Sequence, residues 1–242
     1  MGARLNAALR RALAPWTGSA APLVVLFSGG IDSGVLAWEL RDRRGTSLWT
    51  IGTPGAKDLA AAESAAARIG LPWAAGTVSA DEVRVMDQAL AEDLRGASPL
   101  RRSIFVALAL AIDRAPGTTV LCGQGADELF LGYAHFRGLS SDEAAARADA
   151  DLDRLTRVDW PLSQRLADRW GRTLVAPYLD PGFVDAARSI PIDARRPDPV
   201  PKAWWREWAR SRGVPSEIVD RPKRALQYGT GIDAALRGLV RG

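Results

Sequence analysis

Short apolar runs alternate with segments of helical periodicity along the first half of the chain. The apolar runs predict strands near residues 23–27, 47–52, 73–78 and 118–122. The periodic segments predict helices near residues 31–42, 56–69, 79–92 and 99–114. Strands that alternate with helices indicate a parallel sheet covered on both faces by right-handed crossovers. The pattern therefore predicts a Rossmann-like α/β fold over residues 1–135.

The second half of the chain lacks strand signals after Tyr133. Short helices separated by Pro and Gly are predicted there, at residues 141–157, 159–169, 180–189, 201–212 and 232–240. The clearest loop, from Pro191 to Pro201, is too short to divide independent domains. We therefore expect a single domain over residues 1–242, in which a helical half (136–242) roofs the cleft of the first half.

The N-terminal segment predicts a helix over residues 1–15. Leu5, Leu9 and Leu13 recur at helical spacing, so they fall on one face. The segment lacks the uninterrupted apolar core of a signal peptide. It is therefore interpreted as an amphipathic helix that packs against the domain.

A glycine turn from Phe27 to Ser33 connects the first predicted strand to a helix. Such a turn points backbone N–H groups at one place, and Ser28 and Ser33 can donate hydrogen bonds to phosphate oxygens. Asp32 would repel a polyphosphate unless a divalent cation such as Mg²⁺ lay between them. The segment thus predicts a pyrophosphate site with a metal ligand. The alternative is a plain strand-to-helix turn whose aspartate only caps the helix.

A second glycine turn follows the fourth predicted strand. Gly123 and Gly125 form this turn, and Asp127 lies at the start of an acidic helix. In a parallel sheet two such turns lie side by side at the carboxyl ends of their strands, where ligands bind. Asp32 and Asp127 are therefore expected to hold one Mg²⁺ together. Alternatively, Asp127 only complements the N-terminus of its helix.

These two motifs resemble the synthetase domain of asparagine synthetase and its relatives, which include β-lactam synthetases. The first has the form Ser-Gly-Gly-x-Asp-Ser, the PP-loop of the N-type ATP pyrophosphatases. The second, over residues 123–133, is more specific to this branch. Weaker segments occur in the family's order at residues 50–62, 177–184 and 221–231, so the resemblance covers about residues 20–233.

The resemblance implies a role for individual residues of this chain. The nucleoside would lie beside Phe27, Ile51 and the backbone of Cys122 and Gly123. The pyrophosphate would be held by Ser28, Gly29, Gly30, Asp32 and Ser33. The Mg²⁺ would be held by Asp32 and Asp127, and the catalytic set would be Lys223, Asp127 and Gln124.

Composition supports a special role for Lys223, the expected cation on the α-phosphate during acyl transfer. Lys57, Lys202 and Lys223 are the only lysines among 32 basic residues, and the others are arginine. A lysine retained in a chain that otherwise uses arginine indicates a need for a compact, mobile point charge. The alternative is a surface lysine in a basic patch.

Some features depart from the family pattern. Gln124 stands where asparagine synthetases have glutamate, and a neutral amide cannot take a proton from an incoming amine. Gly34 replaces the second serine that usually follows the PP-loop aspartate. Because the first strand begins at Leu23, we expect no glutaminase domain before it. Ammonia or an amine would then come from solution or from a separate glutaminase subunit.

Composition predicts a soluble, cytoplasmic protein with no membrane segment. A chain of 242 residues is long enough to bury one sizeable core. Its content of 47% hydrophobic and 25% charged residues is typical of soluble globular domains. A single cysteine, Cys122, excludes a disulfide framework, fits a reducing compartment and is expected to be buried and inert. No apolar run approaches the about 18 residues of a membrane span.

The basic charge raises a nucleic-acid hypothesis. The net charge is +4, the pI is 9.7, and Trp204, Trp205 and Trp208 lie among arginines such as Arg206. We interpret this segment instead as a helix with its tryptophans in the core and its arginines in solvent, and nucleic acid is not expected as a partner. The lone His135 is interpreted as a residue of the cleft rim or a structural residue.

The expected function is that of an amide-forming ligase that uses ATP and Mg²⁺. It would adenylate a carboxylate, release pyrophosphate, and transfer the acyl group from AMP to ammonia or an amine. Two alternatives stay open. One is a tRNA-modifying PP-loop enzyme, and the other is a non-catalytic ATP-binding subunit of a larger complex.

Overall fold

Five parallel strands form the centre of the computed structural model, which describes residues 1–18, 21–195, 200–222 and 226–240. The strands are β1 (Leu23–Leu26), β2 (Thr46–Gly52), β3 (Trp73–Thr77), β4 (Thr119–Leu121) and β5 (Thr173–Val175). Their order in the sheet is β3-β2-β1-β4-β5. The predicted Rossmann-like parallel sheet is confirmed, and all of its predicted strands are present.

Helices connect and cover the strands. They are α1 (Gly2–Thr17), α2 (Ile31–Glu39), α3 (Lys57–Ile69), α4 (Ala80–Ala89), α5 (Pro99–Asp113), α6 (Ala126–Leu129), α7 (Ser141–Arg154), α8 (Trp160–Arg169), α9 (Pro181–Arg188), α10 (Ile192–Arg195), α11 (Ala203–Ser211), α12 (Ser216–Val219), α13 (Leu226–Gly229) and α14 (Ile232–Val240). Short 3₁₀ turns occur at Ala134–Phe136 and Pro177–Leu179. Within the described ranges, no helix has both the length and the apolar character needed to cross a membrane.

The two faces of the sheet belong to different parts of the core. Successive side chains of a strand point to opposite faces. Leu23 and Val25 of β1 therefore pack with α1, α2, α3, α9 and α11, whereas Val24 packs with α5 and α8. The buried face of α1 includes Leu5, Leu9 and Leu13, which confirms the predicted packing helix.

The prediction of a purely helical second half was wrong in one place. β5 lies in that half and pairs in parallel with β4, with Thr173 opposite Thr119. Three residues are too few to show a strand period, so the sequence carries no usable signal for it. The predicted break between two helices near residue 158 is also absent, because a π-helical turn (Leu155–Asp159) joins α7 to α8.

Helix α11 buries more than the amphipathic pattern predicts. Trp205 and Trp208 lie in the core, as expected. Arg206 is buried as well, because its guanidinium donates hydrogen bonds to the carbonyls of Pro201 and Val219. The prediction that it faces solvent was therefore wrong. These carbonyls replace the water that a buried guanidinium requires.

Strands β1 and β4 are neighbours, with Leu23 opposite Thr119, so the order of the sheet reverses between them. In open α/β sheets the crevice at this switch point is the usual ligand site. The loops after these two strands touch one another: a Cβ at Gly123 would lie 3.0 Å from Cβ of Asp32. The prediction that the two glycine turns lie side by side is confirmed.

Candidate active site

A cavity of about 490 Å³ lies at the carboxyl ends of the central strands. The predicted site residues that line it are Phe27, Ser28, Gly30, Asp32, Ser33, Ile51, Cys122, Gly123, Gln124 and Asp127. Gly29 belongs to the same loop but does not line the cavity, and Lys223 lies outside the described residues. The fold therefore brings residues from separate segments together at one place.

The PP-loop has a geometry that suits anion binding. Gly29 adopts a φ of +71°, and a Cβ there would lie 2.8 Å from the carbonyl oxygen of Ala61, so only glycine fits. The next residue, Gly30, is the N-cap of α2 and has no side chain with which to cap the first turn. The N-terminus of α2 therefore directs backbone N–H groups and positive potential at the cavity.

Ser28 and Ser33 brace the loop through long hydrogen bonds. The backbone N–H of Ser28 donates to Oγ of Ser33 at 3.3 Å, and the two hydroxyl oxygens are 3.5 Å apart. The Ser33 hydroxyl also donates to the carbonyl of Gly30 at 3.3 Å. Bonds of this length are weak, so a phosphate oxygen at shorter distance can replace them.

The second loop turns at Gly125, which has a φ of +99°. A Cβ there would lie 2.7 Å from Cδ2 of Leu179. The thiol of Cys122 lies 3.7 Å from Oε1 of Gln124 and is buried. Burial raises the pKa of the Cys122 thiol to about 12, although a hydrogen bond from the Gln124 backbone opposes the shift.

Cys122 is therefore expected to resist alkylation in the folded protein. The thiolate is the reactive species, and at mildly alkaline pH a thiol with this pKa is almost wholly protonated. Iodoacetamide labelling followed by intact-mass spectrometry should show no adduct on the native protein and one adduct in urea. Rapid labelling of the native protein at the same pH would contradict this.

Lys202 lies between the two predicted metal ligands. Its ammonium nitrogen is 2.6 Å from Oδ2 of Asp32 and 2.7 Å from Oδ1 of Asp127, and the lysine is only 1% exposed. Burial acts to lower the pKa of Lys202, but the attraction of the two carboxylates outweighs it, so the pKa is raised. The expected convergence of Asp32 and Asp127 on one point is present, and a side chain of the protein occupies that point.

The ion pair of Lys202 with Asp32 and Asp127 requires a strained backbone conformation at Lys202. Lys202 has a φ of +60°, a conformation that costs a non-glycine residue about 1–3 kcal/mol. Gly132 leaves room for the ion pair, because a Cβ there would lie 1.9 Å from Oδ1 of Asp127 and 2.3 Å from Cε of Lys202. Surrounding structure must hold such a residue in place, and Lys202 immediately precedes α11, which is anchored by Trp205.

Further contacts fix the orientation of Asp32. Nε1 of Trp205 donates to Oδ1 of Asp32 at 3.2 Å, so each carboxylate oxygen has a partner. The buried hydroxyl of Tyr178 donates to the backbone carbonyl of Asp32 at 2.7 Å. Both aromatic side chains come from the second half of the chain and therefore tie it to the PP-loop.

Arg221 makes a similar connection to the other side of the PP-loop. Its guanidinium donates to the carbonyl of Ser28 and forms an ion pair with the buried Asp58 at 2.6 Å. Arg221 and the following Pro222 line the cavity. The segment that precedes Lys223 thus lies against the PP-loop.

Further ionisable side chains line the cavity. Glu128 accepts a hydrogen bond of 2.6 Å from the Tyr133 hydroxyl. Burial, followed by the charge of Asp127, raises the pKa of Glu128 to about 7. His135 lies 2.8 Å from a carboxylate oxygen of Asp151 and lines the cavity, in agreement with its interpretation as a rim residue.

The donors at Asp32 and Asp127 fit Mg²⁺ in combination with phosphate. Mg²⁺ is usually bound by one or two protein carboxylates together with phosphate oxygens and water. Among the described residues, no group of three His, Cys, Asp or Glu side chains could hold a metal by itself. A cation bound by Asp32 and Asp127 would therefore depend on ligands that a nucleotide supplies.

Comparison with known proteins agrees with these motifs. A family model described as Asparagine synthase matches residues 4–169 and 140–242, which together span nearly the whole chain. The chain belongs to the asparagine synthase family.

Individual relatives are distant and longer. The chain is 28% identical over 218 residues to the glutamine-hydrolyzing asparagine synthetase of Gallus gallus and 29% identical over 221 residues to that of Bos taurus. Each alignment covers 84% of this chain but only 39% of the relative, so the chain spans well under half their length. An NH3-dependent NAD synthetase from Campylobacter jejuni overlays at a TM-score of 0.39 with 16% identity, over 78% of this chain and 92% of that one. A score this low supports no inference about function.

Gly34, a departure from the usual asparagine synthase motif, has a steric reason. A Cβ at Gly34 would lie 2.3 Å from Cγ2 of Ile218, so α12 approaches the backbone of α2 directly. A serine would not fit without moving Ile218, whose side chain is fully buried. The glycine therefore reflects how this member packs its second half.

Gly34→Ser is accordingly expected to lower the free energy of unfolding by about 1–3 kcal/mol, the usual cost of overpacking a core. Ile218→Ala should also destabilise the protein by itself. The double variant should be more stable than the sum of the two changes predicts, because the smaller side chain makes room for serine. Urea unfolding of the four proteins measures this coupling, and simple additivity would contradict the packing argument.

Lys202, Trp205, Tyr178 and Arg221 were absent from the site predicted from the sequence. A signal existed for Lys202, because the argument from scarce lysines that favoured Lys223 applies equally to it. Tyr178 and Arg221 lie in the family segments 177–184 and 221–231, but those segments gave neither residue a chemical role, and Trp205 was expected only in the core. Only the fold shows that they reach the PP-loop.

Proposed function

We propose that this protein is an ATP-dependent ligase that forms AMP and pyrophosphate, adenylates a carboxylate and transfers the acyl group to ammonia or an amine. The observation that carries the proposal is the convergence of two glycine turns, with Asp32 and Asp127, on one cavity at the switch point of the sheet. Membership of the asparagine synthase family supports the same chemistry.

The cavity has space and linings suited to ATP. Its volume lies within the about 300–1,000 Å³ typical of small-molecule sites. Phe27 and Ile51 supply an apolar wall for the nucleoside, and the backbone of Cys122 and Gly123 supplies polar groups beside it. The triphosphate would extend towards Asp32, where the N-terminus of α2 provides positive potential.

In the proposed first step, a substrate carboxylate oxygen attacks the α-phosphorus of ATP and pyrophosphate leaves. The N–H groups at the start of α2 and the hydroxyls of Ser28 and Ser33 would bind the leaving pyrophosphate. We assign Lys223 the role of offsetting negative charge on the α-phosphate. Mg²⁺, held by Asp32 and Asp127, would supply Lewis-acid stabilisation of the phosphates.

In the second step, an amine nitrogen attacks the acyl carbon and AMP leaves. Gln124 lines the cavity and can donate a hydrogen bond to the acyl-adenylate, but its amide cannot accept the proton of the nucleophile. The proton would pass to solvent or to the departing phosphate.

We further propose that the chain acts as one domain, in which residues 136–242 roof the cleft formed by residues 1–135. The contacts of Tyr178, Trp205 and Arg221 with the PP-loop support this arrangement. We propose a cytoplasmic location, and ammonia supplied from solution or by a separate glutaminase subunit.

Product analysis by ³¹P NMR tests the proposed reaction. The pure protein would be incubated with Mg²⁺, ATP, ammonium and a pool of amino and other carboxylic acids. AMP and pyrophosphate are the expected products, and division of the pool then identifies the acid. Formation of ADP and phosphate would contradict the proposal.

Two other functions make different predictions. A tRNA-modifying enzyme would bind tRNA stably at physiological salt, which filter binding measures. Many arginines of this chain instead form ion pairs, such as Arg101 with Asp159 and Arg212 with Glu39. A non-catalytic subunit, the alternative raised by Gln124, would bind ATP without turnover even when a glutaminase partner is supplied.

A further inference from the structure

Lys202 is positioned as a cation would be in a metal site. Its ammonium lies within 2.7 Å of carboxylate oxygens from two loops, Asp32 after β1 and Asp127 after β4. The side chain is buried, so water does not compete strongly for these contacts. Both carboxylates are about one quarter exposed and face the cavity. Lys202 lines the same cavity, and its ammonium bridges the two carboxylates.

Several independent features maintain this position. Lys202 adopts a left-handed backbone conformation, and Gly132 provides the space that its Cε and Asp127 need. Leu131, the residue before that glycine, also has a positive φ of 54°, so the backbone on this side of Gly132 is strained as well. Trp205 holds the second oxygen of Asp32. An accidental surface contact would not require these adjustments.

The ammonium and a divalent cation cannot occupy the same point. A cation bound by Asp32 and Asp127 on the cavity side would lie within a few ångströms of the Lys202 charge, and the two would repel each other. With the ammonium present, the two carboxylates carry a net charge of only −1. Phosphate oxygens would be needed both as extra ligands and as extra negative charge.

We propose that Lys202 is the resident cation of the Asp32–Asp127 pair, so that the pair binds a divalent cation only together with a nucleotide. In the absence of nucleotide the ammonium satisfies both carboxylates and excludes the metal. The binding of a divalent cation together with a nucleotide rests on the proposed function, because it requires the proposed ATP site. The exclusion of the metal in the absence of nucleotide does not.

Titration with Mn²⁺, a probe for Mg²⁺, tests the proposal by electron paramagnetic resonance of the unbound ion. The nucleotide-free wild type should show no site that depends on Asp127. Lys202→Met should create one Mn²⁺ site. Its affinity for Mn²⁺ should be at least about tenfold higher than that of the nucleotide-free wild type, because a repelling unit charge has been removed. Adding Asp127→Asn to that variant should abolish the new site. Lys57→Met, at an exposed lysine outside the cavity, should behave as wild type.

Thermal melts keep the test informative if Lys202→Met folds poorly. Millimolar Mg²⁺ should then raise the melting temperature of this variant and leave that of the wild type unchanged. Mn²⁺ binding by the nucleotide-free wild type with the affinity of the variant would overturn the proposal. So would a folded Lys202→Met protein with no new site.

A non-hydrolysable ATP analogue separates this proposal from the proposed function. Adding the analogue to the wild type should produce one Mn²⁺ site in the protein complex, lost in Asp127→Asn. If the wild type binds no analogue, the proposed ATP site is wrong, and with it the nucleotide-dependent half of this inference. Asp127-dependent Mn²⁺ binding by the wild type in the absence of nucleotide overturns only the role proposed for Lys202 and leaves the proposed ATP site untouched.

Discussion

Replacing Lys202 with methionine is expected to lower the free energy of unfolding by about 3 kcal/mol. The change leaves the carboxylates of Asp32 and Asp127 facing each other without the ammonium between them. Breaking a buried ion pair costs about 3–5 kcal/mol, and the partial exposure of both carboxylates favours the lower end. Urea unfolding followed by tryptophan fluorescence measures the change.

Two companion variants show whether the loss arises from the ion pair. Lys57→Met removes an exposed lysine and should change the free energy of unfolding by no more than about 0.5 kcal/mol. Adding Asp127→Asn to Lys202→Met should restore part of the stability, because one of the two repelling charges is gone. An unchanged urea midpoint for folded Lys202→Met would show that the ion pair contributes nothing.

Asp127→Asn is expected to slow formation of AMP and pyrophosphate by about 10²–10³-fold, the usual cost of losing one element of charge stabilisation in an active site. Asparagine retains an oxygen that can accept the Lys202 hydrogen bond, so the fold should persist. Its amide is a poor ligand for Mg²⁺ compared with a carboxylate. The rate of AMP formation is measured at saturating ATP, and the urea midpoint of the same variant is measured beside it. A slow variant with an unchanged midpoint has lost catalysis and not stability.

Asp42→Asn provides the matched control for this change. Asp42 is an exposed aspartate at the surface, paired only loosely with Arg41 at 3.4 Å. Its replacement should alter neither turnover nor stability measurably. If Asp127→Asn retains turnover within a few-fold of the wild type, Asp127 has no part in holding the phosphates or their cation.

Four of the five strands, β1 to β4, and both loops could be predicted from the sequence because each has a local signal. Apolar runs mark β1 and β4, and the glycines after them mark turns that other residues fit poorly. Parallel pairing then requires the two turns to meet at one edge. The placement of Asp32 beside Asp127 follows from this chain of reasoning without any structural information.

The contacts that complete the site could not be predicted in this way. Lys202 and Asp32 are separated by 170 positions, and no sequence period relates them. Whether a lysine meets a carboxylate at such a separation depends on how the second half folds over the sheet. The burial of Arg206 has another cause: its partners are the backbone carbonyls of Pro201, before α11, and Val219, in α12, and backbone acceptors leave no mark in the pattern of side chains.

Gly34 is a departure from the family pattern whose physical reason could not be predicted from the sequence. In the sequence it is only a mild departure, in which a residue without a side chain replaces the second serine after Asp32. In the structure the vacancy is filled by Ile218, which comes from α12. The change concerns helix packing, and only the long-range contact reveals this.

Transfer of ¹⁸O from a carboxylate to AMP tests the proposed adenylation most directly. Carboxylic acids labelled at both carboxyl oxygens would be supplied with ATP, Mg²⁺ and ammonium in unlabelled water, and the AMP analysed by mass spectrometry. Attack of the carboxylate on the α-phosphorus, followed by attack of the amine on the acyl carbon, predicts AMP that carries one ¹⁸O atom. AMP without the label would show that water, and not a carboxylate, attacks the α-phosphate, and would contradict the account.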